Sequence, residues 1–215
     1  MIIEGNLTVT RASDIVKRCL DIVLATLGLI VLSPTMGLIA FLIVWDSRGP
    51  ILYIDERLGL NGKRFKLLKF RSMHWHSPPC YAPDGSMLIG ENDPRVTRVG
   101  KFLRHGFDEF PQFWNVLRGE MSVVGPRPDL PYALELYQGE EVTRLTVRPG
   151  ITGLAQVMGR TDIPWRERLA YDVDYVKRRS LWLDTQIIFL TIFEFVPPIR
   201  HMRLGNRIRK STHLN

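Results

Sequence analysis

The sequence predicts an α+β, mainly helical chain. It has an N-terminal re-entrant membrane helix-break-helix and a small globular domain with a short β-hairpin and interfacial amphipathic helices. Three observations predict it. No charged side chain occurs from Ile22 to Trp45, a run long enough to match the roughly 30 Å hydrocarbon core of a bilayer. Residues 51–73 alternate around Asn61-Gly62, the dipeptide of a type I′ hairpin turn. Residues 163–179 read as a helix with Trp165, Leu169 and Val176 inward, and a further apolar stretch follows from Ser180.

Composition narrows the partners. The chain has 215 residues and a net charge of +7, which favours an acidic partner: nucleic acid, an anionic membrane or a phosphorylated ligand. The run from Ile22 to Trp45 argues against nucleic acid as the main partner. Two cysteines exclude a disulfide scaffold and suit a reducing compartment.

The first expected unit covers residues 1–48. Residues 12–21 form a short approach, with Ile15 and Cys19 on one face and Lys17 and Arg18 elsewhere. Ser33-Pro34 interrupts the apolar run. Proline removes one backbone hydrogen bond and crowds the preceding turn, so the helix bends there, and Ser33 is placed to bond a carbonyl the bend frees. A kinked single span and a re-entrant hairpin both stay open. Basic residues at both ends (Arg11, Lys17 and Arg18 before, Arg48, Arg57, Lys63 and Arg64 after) favour the hairpin, because positive flanks stay on the cytoplasmic side.

The second expected unit covers residues 49–200. Its second strand carries Lys69 and Arg71, which alternate onto one face. They read equally as solvated edge-strand charge or as a phosphate-binding pair. Residues 73–98 read as an irregular loop in which His74, His76 and Cys80 lack a clear fourth ligand for zinc. Then come Arg104 and the adjacent carboxylates Asp108 and Glu109, with Gly106 placed to start a helix. Acids at a helix start are ordinary, and spacing alone does not lift the pair above that reading. Arg127 differs, because the prolines on either side present its guanidinium with little freedom, which suits bidentate phosphate recognition. A glycine-rich segment from Arg148 to Arg160 includes Gln156, and such a segment lets backbone approach a ligand. Asp172 sits on the helix at 163–179. Asp184 and Glu194 in the last apolar stretch argue for an interfacial helix over a second span. Residues 201–215 form a basic tail suited to anionic lipid.

Taken in order, these pieces resemble the monotopic phosphoglycosyl transferases, the bacterial initiating sugar transferases, in their minimal form. The resemblance runs from about Lys17 to Asp184. It rests on the apolar run with Ser33-Pro34, on ERLGLNGKRFKLLKFRSM, DPRVTRVGKFLR, DEFPQFWNVLRGEMSVVGPRP and VRPGITGLAQVMGR. It implies transfer of a phosphosugar from a UDP-sugar to polyprenyl (undecaprenyl) phosphate at the cytoplasmic face of the bacterial inner membrane, as the first step of glycan or exopolysaccharide synthesis. It implies a re-entrant hairpin in the lipid and catalysis by Asp108 as nucleophile, through a covalent aspartyl-phosphosugar. It also implies Mg²⁺ held by Glu109 with Asp108, and phosphate contacts from Lys69, Arg71, Arg104 and Arg127. Arg148, Gln156 and Arg160 are expected to shape the nucleotide or sugar pocket, and Asp172 to orient a basic residue such as Lys69 or assist the metal. The chain departs from many relatives in having Gly106 where a serine cap stands, and Leu154 where an aromatic is common. The alternative from another class is a peripheral scaffold that clusters anionic lipids, which leaves the acid pair and Arg127 without a role. Nothing in the sequence marks or excludes a homodimer.

Overall fold

The computed structural model describes residues 12–78, 93–159 and 163–194. The basic tail, Cys80, Arg160 and Glu194's side chain lie outside what is described. Helices dominate, and the sheets are two small pairs, as the α+β reading expects.

Helix α1 spans Ala12–Asp46, with Pro34 inside it. Helical structure continues through the proline, so the expected helix-break-helix is a single helix with an internal proline. The reason is local. Pro34 has no N–H to give to the carbonyl of Ile30, and the Ser33 hydroxyl donates to that carbonyl at 2.8 Å. The orphan acceptor that would be costly among apolar side chains is thereby satisfied.

α1 packs on the globular body at two places, one on each side of Pro34. Ala25 is fully buried with Phe65, Leu67, Val116 and Met121, and Phe113 and Leu117 join that cluster. Ile39 and Ile43 pack with Phe70 and Leu103, joined by Phe107 and Phe110. Between them Ile30 and Val31 are 64% and 70% exposed. α1 is long and apolar enough to cross a membrane.

Strands β1 (Leu52–Leu58) and β2 (Arg64–Phe70) form the antiparallel hairpin, in register from Leu52 opposite Phe70 to Leu58 opposite Arg64. Asn61 (φ 56°) and Gly62 (φ 72°) both lie at positive φ, and Lys63 N–H donates to Leu60 O, which closes the turn the dipeptide predicts. Two short helices follow, α2 (Arg98–Leu103) and α3 (Gln112–Leu117), with a 3₁₀ turn Phe107–Glu109 between them.

Strands β3 (Ser122–Val124) and β4 (Gly150–Thr152) pair in parallel. Just beyond β3, the backbone at Gly125 packs closely against Gly150. A Cβ on Gly150 would lie 2.1 Å from Gly125 N, and one on Gly125 would lie 2.4 Å from Arg148 O. The glycines of this segment admit another stretch of backbone, where the sequence suggested a ligand. Helix α4 (Leu154–Met158) leads to α5 (Trp165–Arg178) and α6 (Leu181–Glu194).

α6 corrects one inference from charge. Asp184 is buried, accepting from Lys17 Nζ at 2.7 Å and from the Tyr175 hydroxyl at 2.8 Å. It ties α6 to the first turns of α1 instead of marking a wet face. Beside it, Asp21 accepts from Ser122 Oγ and Val123 N–H. The outward face of α6 presents Trp182, Phe189 and Ile192.

Candidate active site

The acid pair lies in the 3₁₀ turn, not in the first turn of a longer helix. Gly106 adopts φ 113°, a left-handed conformation that suits glycine, and its N–H donates to Leu103 O. It therefore ends α2 and reverses the chain, and no side chain caps the turn. Phe107 and Phe110 on either side of the acids pack against α1, near Ile39 and Ile43. The pair is held next to the apolar helix.

The two carboxylates have different surroundings. Glu109 Oε1 receives Arg127 Nη2 at 2.9 Å and Lys69 Nζ at 3.1 Å. Burial alone would raise its pKa, but the charges of Arg127 and Lys69 more than offset this and hold it at about 2. Asp108 accepts no side-chain hydrogen bond among the described residues. Burial pushes it up to about 6 against the pull of Lys69, and the Glu109 charge adds to the rise. Neighbouring acids with separated pKa values suit separate roles.

Arg127 stands on a rigid loop. Pro126 O accepts from Gly150 N–H at 2.9 Å, and Arg127 O from Arg144 Nη2 at 2.6 Å. Pro128 O accepts from Arg57 Nη1 at 3.3 Å, and Asp129 O from Leu58 N–H at 2.9 Å. Four consecutive carbonyls are thus pinned, while the Arg127 side chain remains 44% exposed and points at Glu109.

Of the other expected site residues that are described, the structure gathers none at the dyad. Arg71 is buried and donates to Pro50 O, Ser47 Oγ, Ser47 O and Arg48 O, so it closes the end of α1. β2 ends at Phe70, and the alternation that would pair Arg71 with Lys69 ends with it. Arg104 follows α2, its charge close enough to Asp93 to help lower that carboxyl, after the larger effect of Arg95. Arg148 Nε donates to Gly119 O just beyond α3. Gln156 has both side-chain polar atoms buried without a partner. Arg160 is outside the described residues. Asp172 is buried against Arg144, not Lys69, with Oδ2 receiving Arg144 Nε at 3.1 Å and Nη2 at 2.6 Å.

Asp129, Tyr137 and Arg144 had no signal in the sequence. A lone arginine in a mixed segment has no spacing that marks burial, and its four partners lie on the Arg127–Asp129 loop, at Tyr137 and on α5.

No group of three or more His, Cys, Asp or Glu side chains is placed to hold a metal among the described residues. Mg²⁺ is commonly held by one or two carboxylates together with substrate phosphates. Asp108 and the second oxygen of Glu109 are the carboxylate oxygens here that could hold such a cation.

Residues 12–197 match the bacterial sugar transferase family. The chain belongs to that family. Among its relatives, this sugar transferase is 42% identical over 188 residues to the exopolysaccharide production protein ExoY of Rhizobium meliloti, covering 82% of this chain and 83% of ExoY. It is 43% identical over 188 residues to the undecaprenyl-phosphate glucose phosphotransferase of Komagataeibacter xylinus, covering 82% of this chain and 35% of that protein. It is 41% identical over 202 residues to the UDP-galactose-lipid carrier transferase of Erwinia amylovora, covering 88% of this chain and 42% of that protein. The sugar transferase thus spans less than half the length of these last two relatives.

Proposed function

We propose that this sugar transferase moves a sugar phosphate from a UDP-sugar to polyprenyl phosphate, giving polyprenyl-diphosphate-sugar and UMP. The observation that carries this reading is the asymmetry of the dyad. Glu109 is clamped by Lys69 and Arg127, while the neighbouring Asp108 carboxylate has no side-chain partner among the described residues. The names of relatives that act on undecaprenyl phosphate support the substrates.

In the first half-reaction an oxygen of Asp108 attacks the sugar-bearing phosphorus. The bond from that phosphorus to the bridging oxygen breaks, and its electron pair leaves with UMP. In the second, a phosphate oxygen of the lipid attacks the same phosphorus, and Asp108 departs as its carboxylate. No net proton transfer is required. Lys69 and Arg127 hold Glu109 ionised and place positive charge beside the diphosphate. Asp108 and Glu109 would hold Mg²⁺, which supplies charge neutralisation that lets an anionic nucleophile approach anionic phosphate.

The lipid acceptor explains the place of the site. Phe107 and Phe110 dock the dyad on α1, so the reacting carboxylate lies beside the element that enters lipid. α1 packs on one globular body at Ala25 and again at Ile39 and Ile43, on either side of Pro34. That supports a helix that enters and leaves on the cytoplasmic face. The charged first turns and the apolar face of α6 support attachment at that surface.

The test mixes purified protein, Mg²⁺, polyprenyl phosphate and a panel of UDP-sugars and measures UMP. UMP appears with at least one UDP-sugar, stops with EDTA, and is accompanied by a covalent sugar-phosphate adduct when the lipid is omitted. A full-activity Asp108→Asn variant would overturn the nucleophile assignment.

A further inference from the structure

We propose that Arg144 is a positioning residue for the reaction. It holds the main-chain carbonyl of Arg127 and thereby aims the guanidinium that grips Glu109. This rests on the reading of Arg127 and Glu109 given above and extends it to a residue that touches neither substrate nor dyad.

The argument starts from one peptide group. The unit joining Arg127 to Pro128 has no N–H, because proline follows. Its only hydrogen-bonding atom is the carbonyl of Arg127, and that atom receives Arg144 Nη2 at 2.6 Å. The rotation that decides where Arg127 points is therefore set by the partner of that carbonyl. Elsewhere in the loop, Pro126 O and Asp129 O are held by main-chain N–H groups of Gly150 and Leu58, which any side chain at those positions would retain.

Arg144 is itself held on every side. Its side chain is 3% exposed. Nε and Nη2 both reach Asp172 Oδ2, Nη1 reaches Asp129 Oδ2 at 2.6 Å, and Nη1 also donates to the Tyr137 hydroxyl. Tyr137 in turn donates to Asp129 Oδ2 at 3.0 Å. The planar fork is what allows two acids and a carbonyl to be met at once. Asp172 comes from α5 and Asp129 from the Arg127 loop itself, so the guanidinium ties the loop to the far helix. A residue that only neutralised buried acids would need no contact with the carbonyl of Arg127.

The experiment is a double-mutant cycle on kcat/KM for UMP release, using UDP-glucose or UDP-galactose, whichever the unaltered protein turns over. Arg144→Lys keeps the charge and loses the fork. A misplacement of about 1 Å costs on the order of 10²-fold, so Arg144→Lys and Arg127→Ala each reduce kcat/KM by about 10–100-fold. Acting through Arg127, Arg144→Lys then has less than about a twofold effect in the Arg127→Ala background. Equal losses in both backgrounds, or no loss from Arg144→Lys in folded protein, overturn the proposal. Asp172→Asn, nearly isosteric, gives a second arm with the same expected dependence on Arg127, and it decides the matter if Arg144→Lys does not fold. Full activity of Arg127→Ala instead overturns the reading of the dyad, a distinguishable outcome.

Discussion

Arg127 Nη2 and Glu109 Oε1 meet at 2.9 Å from opposite sides of the site, one on a doubly proline-bounded loop and the other in a 3₁₀ turn. Lys69 shares the same oxygen. Two cations on one carboxylate oxygen leave the second oxygen for another partner. Lys69→Met should therefore weaken the hold on Glu109 without freeing it. UMP release should fall by about 10²-fold or more, as when one preorganised electrostatic partner is removed. Lys69→Arg should recover part of it. An unchanged rate for Lys69→Met would show that this contact is incidental.

Asp108 makes a stability prediction with a definite sign. Burial first, and then the Glu109 charge, push its folded pKa to about 6, above the usual carboxylate value near 4. Between those values the folded protein keeps a proton that the unfolded chain has lost, so ionisation of Asp108 weakens folding as pH rises through this window. Asp108→Asn removes that penalty. It should melt higher than the unaltered protein at pH 7, by roughly 1–3 kcal/mol, and the gain should disappear below about pH 4. Thermal melting across that range, with EDTA present, checks it. A variant less stable at neutral pH would mean that Asp108 ionises at an ordinary pKa in the folded chain.

Proton and metal compete for the same carboxylate. With Asp108 titrating at about 6 without metal, apparent Mg²⁺ affinity should fall as pH drops through that value. The acidic limb of the rate profile should move to lower pH at higher Mg²⁺. Profiles at two Mg²⁺ concentrations decide this, and superimposable limbs would remove Mg²⁺ from Asp108.

The hairpin, the apolar run and the Pro-Arg-Pro loop were legible because each is a local pattern. Asn61-Gly62 dictates positive φ at two successive positions, and prolines fix Arg127 whatever surrounds it. The acid pair was legible as a place, but its division of labour was not, since that depends on Lys69 arriving from β2 and Arg127 from beyond β3. Arg71 was misplaced for a related reason. Strand alternation put it with Lys69, yet the strand stops one residue earlier and the guanidinium turns to the carbonyls at the end of α1. The tie from Asp184 to Lys17 was not legible because the two stand 167 positions apart.

Ser33 and Pro34 should act on topology more than on fold. Ser33→Ala leaves the Ile30 carbonyl unpaired, which in the lipid of the proposed hairpin costs roughly 1–3 kcal/mol. Pro34→Ala restores the N–H and straightens the helix, which favours a full span over a shallow return. Cysteine labelling near positions 10 and 50 should report the same side for the unaltered protein and increasingly opposite sides for Ser33→Ala/Pro34→Ala. Opposite sides in the unaltered protein would refute the hairpin.

Lys17 and Asp184 join α1 to α6 at 2.7 Å, with Lys17 also donating to Val124 O at 3.1 Å and Tyr175 donating to Asp184. Four elements meet at this part-buried pair, so removing one charge strands the other. Lys17→Met should destabilise by about 1–3 kcal/mol, as loss of a charged partner from a part-buried hydrogen bond does. Lys17→Met/Asp184→Leu should recover much of that loss, because no unpaired charge remains. Activity should track the folded fraction in both variants, since neither residue reaches the dyad. A Lys17→Met protein that melts normally would mean that water, not Lys17, satisfies Asp184. One that melts low but stays inactive when refolded in detergent would mean that the docking angle of α1 sets the lipid's approach to Asp108.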